Sequence, residues 1–270
     1  LDGSGFDAVA PHSQVVEVRG TLYGQRLGSG AAQAVQLRLD ARLNALRIEL
    51  RQLLAQSGSA SASLDARLTR ATPQAGWTAR GQATLREFDP LPWWPGREDS
   101  PWRQGPHRLN ATADVDLTLP ASAGSASQWL SRLRGRAQLV LEPSRLAGVP
   151  LSGNVALQSA PNGRATGQLQ LLADGNQLRV DAQLDGPADG HGDHWDLKAD
   201  LPTLKRLQPL WKLLLEPGSD ARLAGKLNAE AQVDGRWPAL KTQGRLDTTA
   251  LQLGTLELKR GEARWGRRSN

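Results

Sequence analysis

Apolar and polar residues alternate along most of this chain. From Leu109 to Leu119, every second residue is Leu, Ala or Val, and the residues between them are Asn, Thr or Asp. Successive side chains of a β-strand point to opposite faces of a sheet, so this pattern predicts a strand with one apolar and one polar face. A helix would scatter the same residues around its circumference.

The same alternation recurs along the chain and predicts about fourteen strands. Turn residues separate the runs, as in Asp174–Asn176, which predicts a tight hairpin. Two interruptions differ in character. Residues 203–215 have helical spacing, with Pro209 in the first turn or at a kink, whereas the prolines of residues 88–96 allow a turn at most. The apolar stripe of the first segment would consist of Leu204, Leu207, Trp211 and Leu214.

One phrase occurs twice. "LNATADVD" begins at Leu109 and "LNAEAQVD" begins at Leu227, and they agree at six of eight positions. Each phrase follows a Trp-headed strand, a proline-containing segment and a loop, the strands beginning at Trp77 and Trp195. We therefore expect residues 1–270 to form one extended β-groove fragment built of two diverged repeats, about 77–194 and 195–270 onward.

A sheet of fourteen strands cannot remain flat. At a spacing of ~4.8 Å it would be roughly 67 Å long, and open sheets rarely exceed about ten strands without curling or splitting. The sequence predicts almost no helix to cover such a sheet, so its apolar face must close as a sandwich or barrel, or line a trough. The predicted fold class is all-β: an elongated, curled sheet that forms a groove, with one or two short helices.

Composition excludes several kinds of chemistry. The chain has no Cys, which removes disulfides, thiol nucleophiles and thiolate metal sites. Its net charge of +6 comes mostly from singly spread Arg residues, which favours a solvated strand face over a nucleic-acid surface. The sequence contains no run of 18 apolar residues, so it predicts no membrane-spanning helix. The chain also has no Met, so we expect Leu1 not to be a native start.

Catalytic and metal-binding signatures are missing as well. No nucleophile elbow, phosphate loop or dinucleotide fingerprint occurs. His191 and His194, with Asp193 between them, match no common ligand spacing, so an exposed Gly-rich loop is favoured over a metal site. Asp114 and Asp116 are expected to keep an outer strand face wet. We therefore expect no enzyme, no cofactor and no metal. Three tryptophans are expected to plug the end of the sheet or, alternatively, to contact lipid or a partner: Trp93, Trp94 and Trp102.

Residues 223–265 space their turn residues in a characteristic order: Gly225, Gly235, Pro238, Gly244 and Gly254. With "LREFDPLPWWPG" (85–96), "HWDLKADLPTLKRLQPLW" (194–211) and the hairpin at 167–186, this order resembles the TamB family within the AsmA-like group. The resemblance extends from about Val15 to Trp265. It implies a periplasmic protein of Gram-negative bacteria, anchored in the inner membrane by a segment outside this chain, with a long taco-shaped sheet that is apolar inside.

The resemblance also implies a function. It suggests a bridge towards the outer-membrane barrel protein TamA, contacted through other regions, and a role in phospholipid movement and outer-membrane protein assembly. The leading hypothesis is a lipid-transfer segment that carries phospholipids from the inner to the outer membrane through its apolar groove. The predicted groove-lining residues are Ala111, Ala113, Val115, Leu117, Leu169, Leu171, Leu178, Val180, Ala182, Leu227, Ala229, Ala231 and Val233.

Two other functions are weighed against it. A chaperone or scaffold for outer-membrane proteins such as autotransporters would use the sheet edges to template client strands. An enzyme or a carbohydrate-active β-solenoid would need a carboxylate-rich aromatic cleft, and the polar residues here are dispersed.

Overall fold

One antiparallel sheet contains all fourteen strands in sequence order. The computed structural model describes residues 15–26, 33–93, 100–103, 105–121, 134–160, 162–185, 192–215, 222–235 and 239–266. The strands are β1 Val16–Arg26, β2 Gln33–Leu43, β3 Arg47–Ser57, β4 Ala60–Thr69, β5 Trp77–Phe88, β6 Leu109–Leu119, β7 Arg134–Leu146, β8 Val149–Ser159, β9 Arg164–Ala173, β10 Asn176–Asp185, β11 His194–Leu201, β12 Leu223–Asp234, β13 Lys241–Leu253 and β14 Leu256–Trp265.

The sheet is curled and does not close on itself. Helical structure is confined to two connections among the described residues. Single 3-10 turns at Leu91–Trp93 and Pro101–Arg103 lie between β5 and β6, and a 3-10 turn at Leu204–Leu207 continues into helix α1, Gln208–Leu214, between β11 and β12. The predicted fold class is confirmed, and of the alternatives left open the trough is the one observed.

One face of the sheet is polar across thirteen strands. Paired residues form a row running from Glu17 on β1 to Lys241 on β13. Asp116 lies in this row and pairs with Arg80 at 3.1 Å, while Asp114 lies 3.8 Å from Arg136. Such exposed pairs add little stability, about 0.2–1 kcal/mol each. Their position agrees with the expectation that these two carboxylates keep the outer face wet.

The β11–β12 connection is fastened to the sheet by Asn176, whose side chain is 1% exposed. Its amide donates hydrogen bonds to the carbonyls of Ala173, Asp174 and Thr203, and its oxygen accepts one from the Thr203 N–H. The loop between β11 and α1 is thereby fixed to the β9–β10 turn. That turn, Asp174–Gly175, is the predicted hairpin.

The β5–β6 connection is fastened in a similar way by buried His107. Its Nδ1 accepts a hydrogen bond from the Ala147 N–H at 3.1 Å, and its Nε2 lies 3.0 Å from the Trp102 carbonyl oxygen. The connection therefore reaches over the β7–β8 turn. It contacts α1, which comes from the other connection. We call these two connections, residues 89–93, 100–103, 105–108 and 202–215, the cap.

The cap buries Leu204 and Leu213. Pro209 lies in the first turn of α1, as predicted, but the predicted stripe is wrong at its end, because Leu214 is 76% exposed. The reason is the 3-10 turn, which completes a turn in three residues and shifts the buried face towards Leu213. Trp93 and Trp102 are half-buried in the cap, and Trp94 lies outside the described residues.

Candidate functional site

The opposite face carries a row of uncharged residues across all fourteen strands. We call it the central row; it consists of Gly20, Leu39, Leu53, Leu64, Ala83, Ala113, Leu139, Val155, Leu169, Val180, Leu197, Ala231, Gly244 and Trp265. An unbroken apolar row requires every pair of neighbouring strands to adopt a register that sets the apolar residues of one strand opposite the apolar residues of the next.

Two more rows flank the central row on the same face. The capped-side row consists of Leu22, Leu37, Ala55, Ala62, Leu85, Ala111, Leu141, Gly153, Leu171, Leu178, Ala199, Ala229, Leu246 and Ala263. The other row consists of Val18, Ala41, Leu50, Ala66, Gly81, Val115, Ala137, Leu157, Gly167, Ala182, Trp195, Val233 and Thr242. We call the three rows together the apolar face; Thr242 is their single polar member.

Large side chains on the apolar face remain partly exposed. Leu64, Leu139 and Val155 lie in the central row, well inside the sheet, and are 36%, 40% and 37% exposed. Leucine and valine side chains in a closed core are usually almost fully buried. Exposure of this size therefore distinguishes an open trough from the two-layer core of a sandwich.

All thirteen residues predicted to line the groove lie on this one side of the sheet. Eleven belong to the three rows. The other two, Leu117 and Leu227, lie on the same side of β6 and β12 but outside the three rows. The sheet thus brings together residues that are far apart in sequence. Their contact with lipid stays a prediction.

The repeated phrase occupies the same rows in both copies. Ala111 and Ala229 lie in the capped-side row, and Ala113 and Ala231 lie in the central row. The third pair, Val115 and Val233, shares the remaining row. Both phrases lie in the strand that follows a cap connection, the first at the start of β6 and the second at the end of β12, so they build the same wall element twice.

Several lining residues escaped the sequence analysis because of β-bulges. In β3 the pairing shifts between Leu50 and Leu53, so two residues of the same apolar face are separated by Arg51 and Gln52. An extra residue reverses the alternation, and a strict period of two therefore loses Leu53 and Ala55. The signal that remains is the run Leu53–Leu54–Ala55 itself.

Two tryptophans also belong to the apolar face and were not predicted there. Trp195 lies between Ala182 and Val233. The ring of Trp265 covers Gly244, where an added Cβ would lie 2.6 Å from a ring carbon. Because Gly244 has no side chain, it leaves space for the indole. A Gly and a Trp in neighbouring strands are the sequence signal that could have predicted this contact.

The polar face has a depression of about 1090 Å³ over β10–β14. Its charges are largely satisfied by one another, since Arg179 lies 2.6 Å from Asp181 and Glu230 lies 3.2 Å from Arg245. The hydrogen bond from Arg179 lowers the pKa of Asp181, which keeps the carboxylate ionised. This concavity is therefore a solvated, internally paired surface rather than an apolar site.

His194 lies between two carboxylates on the polar face. Its Nδ1 is 2.6 Å from Asp234 Oδ1, and its Nε2 is 3.1 Å from Asp196 Oδ2. The hydrogen bond to Asp234 raises the pKa of His194 most; the Asp196 charge adds to it, and partial burial opposes it. The neighbouring Asp193, expected in an exposed loop, is buried, because its side chain accepts from the Asp185 N–H. His191 lies outside the described residues.

Comparison with known proteins gives no relative. No protein-family model matches this chain, and no curated protein or solved structure matches it either. None of the helices in the described residues is both long and apolar enough to cross a membrane. Within the same residues, no group of three or more His, Asp or Glu side chains is placed to hold a metal ion. The inference about function therefore depends on the apolar face.

Proposed function

We propose that this chain is a periplasmic segment of a bridge-like lipid-transfer protein. Its apolar face shelters the acyl chains of phospholipids that pass between the inner and outer membranes, and their headgroups stay in water at the open side of the trough. The observation that supports this proposal is the central row, which runs uncharged across fourteen strands and remains partly exposed. The role requires no catalytic group, cofactor or metal.

The dimensions of the apolar face suit an acyl chain. Alternate residues of a strand lie about 6.6 Å apart, so the three rows make a band about 13 Å wide. One leaflet of a bilayer is about 15 Å of hydrocarbon. An acyl chain of that length is therefore covered over most of its span when it lies across the band, and several can lie side by side along the sheet.

The energetic argument concerns transfer from water. Each CH₂ group removed from water contributes about 0.8 kcal/mol, so even partial cover of an acyl chain offsets much of the cost of leaving a bilayer. An open face of Leu, Val and Ala provides this cover without specific polar contacts. Lipid can therefore slide along the rows, since no single position holds it strongly.

A sharp test places the same charge on the two faces of one strand. Leu169 lies in the central row of β9, and its neighbour Gln168 is exposed on the polar face opposite Asp181. We expect phospholipid to co-purify with the wild-type chain and with Gln168→Arg, and to be lost from Leu169→Arg and from Val180→Arg. The measurement is mass spectrometry of extracted lipid, with circular dichroism to confirm folding of each variant. A folded wild-type chain free of lipid, or equal lipid in all variants, contradicts the proposal.

The scaffold function is favoured by one observation, the two sheet edges. Among the described residues, β1 and β14 each pair with one neighbour only. A client strand would add to such an edge through main-chain hydrogen bonds. This alternative predicts that proline in β14 impairs outer-membrane protein assembly more than a charge at Leu169 does. The lipid proposal predicts the reverse order.

A further inference from the structure

One arginine lies on the apolar side of the sheet. Arg70 directly follows β4, on the same side as Leu68 and Ala66, and its guanidinium carbon lies 4.5 Å from the centre of the Trp77 ring. Trp77 begins β5 and pairs with Leu119 of β6. Both Arg70 and Trp77 are half-buried. They form a rim of the trough at the end of β5 and β6 that lies opposite the cap.

The positive charge of Arg70 has no carboxylate beside it within the described part of the chain. Its Nε and Nη2 donate to the carbonyl oxygen of Ala45 at 2.9 and 2.6 Å, and its Nη1 donates to that of Pro73 at 2.6 Å. On the polar face of the same strand, by contrast, Arg67 lies 2.6 Å from Glu49. A guanidinium has five N–H donors, so the three bonds of Arg70 leave one donor on Nη1 and one on Nη2 for a further partner.

The apolar face in front of Arg70 matches the length of an acyl chain. Leu64, in the central row, lies six residues from Arg70 along the strand, which is about 20 Å, and one leaflet of a bilayer is about 15 Å of hydrocarbon. A lipid whose headgroup lies at Arg70 therefore places the ends of its acyl chains near the central row. Small residues around Leu64 leave room for them: Ala66, Gly81, Ala83 and Ala113.

We infer that Arg70 binds the phosphate of a phospholipid whose acyl chains lie over β4–β6. A guanidinium binds phosphate through two parallel N–H···O bonds, and two donors of Arg70 remain for them. Trp77 suits the boundary, because an indole has a large apolar ring and a polar N–H. This inference rests on the proposed function and deepens it, since it assigns the headgroups in this part of the trough to the rim opposite the cap.

The first test compares two lipids that differ only in the phosphate, dioctanoyl phosphatidic acid and dioctanoylglycerol. We expect calorimetry to show that the wild-type chain binds phosphatidic acid about tenfold more tightly, because only this lipid forms charge-assisted hydrogen bonds with Arg70. Arg70→Gln should lose the preference and still bind dioctanoylglycerol. Arg67→Gln is the matched control, since it removes a cation from the polar face of the same strand, and it should keep the preference.

The possible results separate this inference from the proposed function. Equal affinities of the wild-type chain for the two lipids overturn the inference and leave the proposed function standing, whereas binding of neither lipid contradicts both. Inorganic phosphate, used as a competitor, should displace phosphatidic acid only weakly. If inorganic phosphate binds the wild-type chain as tightly as phosphatidic acid does, the site takes free phosphate, and the inference is overturned.

A second test locates the headgroup without changing Arg70. The chain has no cysteine, so Ala71→Cys and Ser59→Cys each place a single thiol in an exposed turn, at opposite ends of β4. Dioctanoyl phosphatidylethanolamine with a maleimide on its headgroup should react about tenfold faster with Ala71→Cys, because binding raises the effective concentration of maleimide there. Each rate is divided by the rate with free N-ethylmaleimide. Equal normalised rates, or a faster reaction of Ser59→Cys, overturn the inference.

Discussion

The side chain of His194 makes the stability of this protein depend on pH. Its position between Asp234 and Asp196 favours the protonated ring, as shown by the raised pKa. A pKa raised on folding means that protonation stabilises the folded state. The contribution is complete below the unfolded-state pKa of about 6.5 and is lost as pH rises through the higher pKa of the folded state.

We therefore expect the urea midpoint of the wild-type chain to fall between about pH 6 and about pH 8. In His194→Gln, which keeps hydrogen bonding but does not titrate, the curve should be flatter over this range. Asp234→Asn should flatten it too, since the largest cause of the raised pKa is removed. Chemical denaturation monitored by tryptophan fluorescence at several pH values measures the effect. A midpoint that rises with pH in the wild type only would contradict it.

Among the secondary-structure elements, those of the cap and the strand ends beneath it form most of the buried core. Val149, Ala173, Asn176, Leu204 and Leu213 are all buried, and all lie at the end of the sheet where the cap crosses it. The two cap connections start six strands apart and contact each other. They therefore tie together strands that otherwise touch only their sequence neighbours, and hold that end of the curled sheet in a fixed arrangement.

The prediction for the cap concerns Asn176. Asn176→Ala removes four hydrogen bonds and leaves buried groups of the loop and turn without partners, which should lower the free energy of unfolding by about 2–4 kcal/mol. Asn228→Ala is the matched control, because Asn228 is exposed on the polar face of β12; its effect should stay within about 0.5 kcal/mol. Equal effects of the two substitutions in urea titrations would show that the cap is not anchored through Asn176.

For the molecule as a whole, stability should vary from strand to strand. The strands follow one another in order, so each depends on its neighbours as in a repeat protein. Buried side chains concentrate between β6 and β12, whereas Leu22 on β1 is 69% exposed and Leu256 on β14 is 50% exposed. Elements with few buried contacts open first.

Hydrogen exchange measured by mass spectrometry should show this gradient. We expect the slowest exchange in β7–β10, beneath the cap, and the fastest in β1 and β14. Uniform protection along the sheet would mean that the chain opens as a single unit.

Much of the apolar face could be predicted from residue order alone. Ala113 and Val180 were assigned to one lining because a period of two fixes which side of a strand a residue faces, whatever the distant partners are. The hairpin at Asp174–Gly175 and the number of strands follow from equally local signals. The parts that failed share one cause: they depend on contacts between distant segments. The bulge that hides Leu53, the buried state of Asp193 and the exposure of Leu214 each depend on neighbours that residue order does not specify.

The sequence by itself determined that this protein is a two-faced, all-β sheet, because alternation and turn chemistry act over a few residues. Only the tertiary structure decided that the sheet stays open, that the rows align without a break from Gly20 to Trp265, and that the two connections meet as a cap. These properties depend on register, curl and packing. They are set by the balance of burial over the whole sheet, which no short stretch of sequence contains.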